Sequence, residues 1–250
     1  MATGRSRWFK RFIEKPNAAT RLFCFPPAGA GASAFRTWPD RLPPNTELWA
    51  VQLPGREERF TEPPVDRLQP IVNSMAEAFM EQLDRPYAFF GHSMGSLIAF
   101  ELVRFLRRAG MPLPICLFVS GQPAPQIEGS SPQRFDLPDK EFVEELRKME
   151  GTSPDNLNNP ELMDMLLPTL RADFAVCQTY QYYTEPPFAC PVVAFGGEQD
   201  TECSVAQLEL WREQTSWDFR MKTFPGGHFY MLTSEAEFLD TLSRELAAVR

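Results

Sequence analysis

The chain has only two histidines, His92 and His228, among 250 residues, and no C-x-x-C pair or mixed His/Cys cluster. A zinc site would have almost no ligands to draw on, so no metal is expected. Positive charge is in deficit as well, with 25 Lys and Arg against 33 Asp and Glu and a net charge of −8. A binder of phosphate backbones needs a basic face, so nucleic acid is not an expected partner. No apolar run approaches the roughly 18 residues of a membrane span before Arg, Lys, Pro or Glu interrupts it, so no membrane role is expected. The five cysteines are scattered, odd in number and mostly set in apolar runs, which suits reduced core thiols better than a disulfide framework. Near the amino terminus Arg5, Arg7, Lys10 and Arg11 are interleaved with Trp8, Phe9, Phe12 and Ile13 and never make the unbroken apolar core of a secretory leader. A soluble, cytoplasmic, monomeric protein is the expectation.

What the chain does have is 43% hydrophobic residues in an alternating arrangement. That length and composition suit one domain, 1–250, burying roughly 70–75% of its unfolded surface. Short β-rich runs at 22–25, 48–52, 87–90, 115–120, 192–195 and 219–224 are separated by helical-period segments at 68–83, 96–109, 204–215 and 235–249. Such alternation predicts an α/β fold, a mostly parallel sheet flanked by helices. The stretch 121–190 breaks the rhythm: it is rich in Pro, Asn, Ser and charge, with helix-like patches at 142–149 and 162–174. Structureless connections of that length are uncommon in compact domains, so it reads as an inserted helical cap.

The chemistry starts at Gly91-His92-Ser93-Met94-Gly95, a G-x-S-x-G placed between a predicted strand and a predicted helix. In that context the serine sits on a sharp strand-to-helix turn, its hydroxyl lifted above the sheet edge at the positive end of the helix. A serine hydroxyl needs a base to take its proton, usually histidine. His92 adjoins the serine, and its side chain should project away from the hydroxyl. That leaves His228, in Pro225-Gly226-Gly227-His228-Phe229 after the last predicted strand, where a loop at the same sheet edge brings it over Ser93.

A third member, a carboxylate, would hold the imidazole tautomer. The strand ending in Gly196-Gly197-Glu198-Gln199-Asp200 offers two acids. Asp200 keeps the chain order nucleophile, acid, base; Glu198 is the alternative, and either acid could instead cap the helix beginning near Ser204. The oxyanion needs two amide donors. Met94, after the nucleophile, is one candidate; in Phe25-Pro26-Pro27-Ala28-Gly29, Ala28 is the first residue past the prolines with an N–H to give.

These segments, in this order and together with Leu53-Pro54-Gly55-Arg56-Glu57, resemble the type II thioesterases, stand-alone α/β-hydrolases that serve polyketide synthases and nonribosomal peptide synthetases. The resemblance extends from Trp8 to the end of the chain. Medium-chain thioesterases of animal fatty acid synthase are relatives of the same family, and the motifs alone do not separate the branches. The resemblance implies an α/β-hydrolase fold and hydrolysis of acyl thioesters from the phosphopantetheine arm of an acyl or peptidyl carrier protein, without a cofactor. Ser93, Asp200 and His228 match the family nucleophile, acid and base, Ala28 and Met94 the oxyanion donors, and 121–190 the family's mobile lid. One departure is Gly29-Ala30-Gly31, where the family often has adjacent glycines.

Within the cap, Met163, Met165, Leu166, Leu167 and Phe174 recur at helical spacing and suit either core packing or an acyl-binding wall. Arg56 and Glu57 read as an ion pair or turn anchor beneath the site, or as substrate contacts. The amino-terminal basic residues offer one surface to an acidic partner. Two other readings compete. An esterase, lipase or peptidase could use the same triad, and a non-catalytic binder on this scaffold predicts a broken constellation, whereas the one here is complete.

Overall fold

A computed structural model describes residues 6–127, 129, 132–149, 151 and 153–249. Arg5, one of the amino-terminal basic residues, lies outside them. Strands run over Phe9–Lys10 (β1), Thr20–Phe25 (β2), Thr46–Val51 (β3), Tyr87–His92 (β4), Leu117–Ser120 (β5), Val192–Gly197 (β6) and Phe219–Phe224 (β7). They form one sheet in the order β1-β3-β2-β4-β5-β6-β7. Every pairing is parallel except that of β1 with β3, where Phe9 faces Val51. The strands from β2 to β6 are buried along their whole length, which is why apolar residues dominate them, with polar or charged residues at the ends of several strands.

Helices cover both faces: Leu68–Met80 (α1), Met94–Arg108 (α2), Asp139–Lys148 (α3), Pro154–Leu157 (α4), Pro160–Gln178 (α5), Val205–Glu209 (α6), Tyr230–Thr233 (α7) and Glu235–Ala248 (α8). The two-residue period of a strand divides the core. Phe23, Tyr87 and Phe89 point to one side, against Val72, Phe79 and Ile98 of α1 and α2. Leu22, Ala88 and Phe90 point to the other, against Phe238 and Leu242 of α8. None of the helices among the described residues is long and apolar enough to cross a membrane.

The structure departs from the sequence expectations in three places. β1 was not anticipated, because a two-residue edge strand leaves no periodicity to read. The helix expected over 204–215 stops at Glu209 and tightens into a 3₁₀ turn over Leu210–Gln214, where Trp211 is buried and its Nε1 donates to Gln122 O at 2.7 Å. The short helix α7 begins two residues after His228, between the expected 225–229 loop and the expected helix from Glu235, where no element was anticipated.

Two features of the layout position the site. The chain passes from β2 outward to β3 and then returns across to β4, so the strand order reverses between β2 and β4. Ligands of open parallel sheets bind beyond the carboxyl ends of the strands at such a reversal, and here Ala28 follows β2 while Ser93 follows β4. Above that edge, α3, α4 and α5 lie between β5 and β6 and share an apolar cluster of their own that includes Phe142, Leu157, Met163 and Leu167.

Phe23 is fully buried and sits at the centre of an aromatic group, with its ring 4.6 Å from that of Phe79 and 5.3 Å from that of Phe9. Phe23→Ala should cost about 3–5 kcal/mol. Urea unfolding checks this as a lowered midpoint with unchanged slope.

Candidate active site

Ser93 caps the amino end of α2 with φ 52° and ψ −123°. A non-glycine residue held there stores about 1–3 kcal/mol of strain and needs surroundings that impose it. Ser93 N donates to Ser120 O at 2.7 Å, Ser96 N donates to Ser93 O at 2.8 Å, and Ser96 Oγ donates to Gly91 O at 2.7 Å. Close approach does the rest. A Cβ at position 95 would stand 2.1 Å from Phe25 O, and one at position 91 would stand 2.3 Å from Gly95 O. Only glycines let the first turn of α2 seat on the end of β2.

The loop after β7 carries His228, and its Nδ1 lies 2.9 Å from Asp200 Oδ2. The other carboxylate oxygen of Asp200 accepts from Glu202 N at 2.8 Å and Cys203 N at 3.0 Å, so the side chain is held at both ends. With Nδ1–H donating to the carboxylate, Nε2 is left as the acceptor. Glu198, the other acid considered, is exposed. The two loops are also tied to each other, Gln199 N donating to Gly226 O at 2.9 Å and Gly226 N to Gln199 Oε1 at 2.6 Å. Ser93 and His228 line the same cavity of about 530 Å³. Among the described residues no hydrogen bond joins the serine hydroxyl to the imidazole.

His92 lies behind this pair, not in it. It is fully buried, with Nδ1 2.8 Å from Ser120 Oγ, which is in turn 2.7 Å from the Tyr230 hydroxyl. Its ring centroid is 5.1 Å from that of His228. Burial first, and the neighbouring His228 second, hold its pKa well below the ordinary 6.5. Cys177 also lines the cavity, but burial, helped by the charge of Asp173, pushes its pKa up to about 12. It stays a thiol and does not compete as a nucleophile.

Ala28 lines the cavity beside Ser93. Gly29 N is engaged by Asp173 Oδ2 at 2.7 Å, and Ala30 N by Pro27 O at 3.1 Å. Among the described residues neither the Ala28 nor the Met94 amide donates to a protein acceptor. The chemistry open to this arrangement is acyl transfer: a hydroxyl, a ring nitrogen able to take its proton, and amides free to meet a negative oxygen.

The cap wall differs from the one anticipated. Phe174 lines the cavity, joined by Leu146, Met149 and Leu170. Met163 and Leu167 are buried inside the cap's own cluster, Leu166 packs against it, and Met165 is 54% exposed, so none of these four lines the cavity. Positions 163, 167, 170 and 174 form one helical stripe, and spacing alone does not tell where along it packing gives way to cavity. Arg56 makes a buried ion pair with Asp173, Nη1 to Oδ2 at 2.6 Å and Nη2 to Oδ1 at 2.8 Å. This is the anchor beneath the site that the sequence left open. Its partner, on α5, carries no motif that would have pointed to it.

The buried state of His92 predicts a pH dependence. Its folded pKa lies below the unfolded value of 6.5, so the unfolded chain binds the extra proton and stability falls as pH drops below 6.5. Between pH 7.5 and 5.5 this group should contribute a loss of about 1 kcal/mol. Denaturant titrations at the two pH values, compared with those of His92→Gln, check it: the variant should lack that increment.

The thioesterase domain family's sequence model matches residues 20–246. The gramicidin S biosynthesis protein GrsT of Aneurinibacillus migulanus is 44% identical over 98% of this chain and 95% of its own length. Among solved structures, the type II thioesterase BorB from the borrelidin biosynthetic cluster is 33% identical, covers 99% of this chain and 100% of its own, and superposes with a TM-score of 0.88. The RedJ thioesterase from the prodiginine pathway of Streptomyces coelicolor is 37% identical, with 97% and 100% covered and a TM-score of 0.86. With a strand-to-helix serine turn, a carboxylate-bound histidine across the same cavity and this similarity over nearly its whole length, the chain belongs to the thioesterase family and is a thioester hydrolase of the α/β-hydrolase type.

Proposed function

We propose that this thioesterase hydrolyses acyl groups from the phosphopantetheine arm of carrier proteins in polyketide or nonribosomal peptide assembly, clearing or releasing chains, with Ser93 as nucleophile, His228 as base and Asp200 as the carboxylate that orients it. The observation that carries this reading is the His228–Asp200 pair at 2.9 Å on a cavity that also exposes Ser93, held at φ 52°. Similarity to proteins named for gramicidin S, borrelidin and prodiginine biosynthesis supports a carrier-bound substrate.

His228 Nε2 takes the Ser93 proton as the serine oxygen attacks the thioester carbonyl. The Ala28 and Met94 amides receive the oxyanion, each such donor being worth about 10²–10³ in rate. The intermediate collapses with cleavage of the carbon–sulfur bond; the pantetheine sulfur takes the proton from His228 Nε2 and leaves as the free thiol, His228 is neutral again, and Ser93 is left acylated. His228 then takes a proton from water as that water attacks the acyl-serine, and returns it to the Ser93 oxygen as the acid product leaves. Thiolate is a good leaving group, so the first half demands less acid assistance than amide cleavage would. Every proton moves between groups of this chain, substrate and water, so the steps call for no metal or redox cofactor. Leu170, Phe174, Leu146 and Met149 face the acyl chain in the cavity.

Ser93→Ala should abolish turnover of acyl-carrier proteins with the circular-dichroism spectrum and carrier binding retained; continued hydrolysis would name the wrong nucleophile. Asp200→Asn should lower kcat by about 10⁴, while a loss below tenfold would remove Asp200 from the triad. A third comparison sets carrier-bound thioesters beside oxygen esters of the same acyl groups. Faster turnover of the thioesters is expected, and a large preference for the oxygen esters would overturn the substrate class.

A further inference from the structure

We propose that Asp173, on cap helix α5, is a positioning residue for the oxyanion loop, with Arg56 as its anchor, so that the cap and the amide donor at Ala28 are held as one unit. The inference rests on the reading of Ala28 as an oxyanion donor and gives a role to the Leu53–Glu57 segment, which that reading leaves unused.

Asp173 is fully buried and both of its oxygens are occupied: Oδ2 accepts from Gly29 N at 2.7 Å and from Arg56 Nη1 at 2.6 Å, and Oδ1 accepts from Arg56 Nη2 at 2.8 Å. Because a peptide unit is planar, fixing Gly29 N–H fixes the plane that joins it to Ala28. On the other side, Pro26 and Pro27 restrict the backbone by their rings. Ala28, which lines the cavity, therefore sits between two constrained neighbours.

Arg56 extends the grip. Its Nη1 also donates to Ala30 O at 3.1 Å and its Nε to Pro54 O at 3.2 Å. Further along the loop, Ala32 N donates to Gln52 Oε1 and Ser33 N to Glu57 Oε1, both at 3.1 Å. Side chains from 52–57 thus clamp 30–33, while Asp173 clamps residue 29. The cap helix also packs against the loop directly: Ala28 lies against the apolar cluster that holds Leu170 and Phe174. Leu170 and Phe174, flanking Asp173 on α5, line the acyl cavity. The helix that walls the chain is the helix that sets the donor.

A donor displaced by about 1 Å is enough to cost up to 10²-fold in rate, and the cost falls in the transition state, not in substrate binding. Asp173→Asn and the paired variant Arg56→Met/Asp173→Leu are compared with wild type, counting competent sites by phosphonate labelling of Ser93. The paired variant leaves no uncompensated buried charge and keeps the test open if the single variant unfolds. The expected result is kcat per labelled site lowered about 10- to 10²-fold, KM for a pantetheine thioester changed less than threefold, and partial recovery in Arg56→Lys relative to Arg56→Met. A per-site kcat within twofold of wild type in the folded paired variant would overturn the inference, as would a loss confined to KM. Failure of the underlying reading looks different: wild-type enzyme would then take no label at Ser93, or Ser93→Ala would still turn over.

Discussion

The contact on which the site depends is the seating of α2 on the end of β2. With a Cβ placed at Gly95 lying 2.1 Å from Phe25 O, the helix can approach this closely only without a side chain there. The approach forces the connection from β4 into the left-handed region at Ser93 and brings the first amide of α2 beside the loop that leaves Phe25. Ser93 and the two amides proposed as donors, those of Ala28 and Met94, are therefore brought together by a single packing event. The strain is offset locally by Ser96 and Ser120, whose hydrogen bonds tie the turn to β5.

A second constraint is electrostatic. The rings of His92 and His228 are 5.1 Å apart. Two like charges at that separation repel by about 3 kcal/mol at an effective dielectric near 20. Since burial keeps His92 neutral, the His228 ring has a neutral ring on one side and Asp200 on the other, which favours the imidazolium that the proposed mechanism requires. The hydrogen bond of His92 to Ser120, and of Ser120 to Tyr230, fixes that neutral neighbour in place. A histidine beside Ser93 in sequence thus shapes the field at His228.

The interior strands were legible because each is covered on both faces and is dominated by apolar residues, and the serine turn because its glycines answer a steric demand written locally. His228 followed from there being only one other histidine to choose. Asp200 was preferred to Glu198 from chain order; which of two neighbouring acids turns inward is not written locally, and in the structure Asp200 is buried beside His228 while Glu198 is exposed. The cap was readable as helix but not as wall: periodicity identifies a buried stripe on α5 without saying what buries it. Arg56 was visible as part of a motif, whereas Asp173, 117 residues further on, pairs with it only once the chain has folded.

The ion pair itself adds little to stability that well-packed apolar side chains could not supply. What it adds is direction. Leu170 and Phe174 make apolar contacts, which hold a helix down but let it turn about its axis. Thr169 and Asp173, each one residue earlier and likewise four apart, are polar and specific: Thr169 Oγ1 donates to Gly55 O at 2.8 Å, and Asp173 takes the Arg56 fork and the Gly29 amide. Successive residues of a helix differ by about 100° in direction. A stripe gripping the 54–57 segment and the loop therefore fixes the azimuth of the stripe beside it. The hydrogen-bonded pair sets which face of α5 turns to the cavity, and the apolar pair, Leu170 and Phe174, sets the character of the wall presented there.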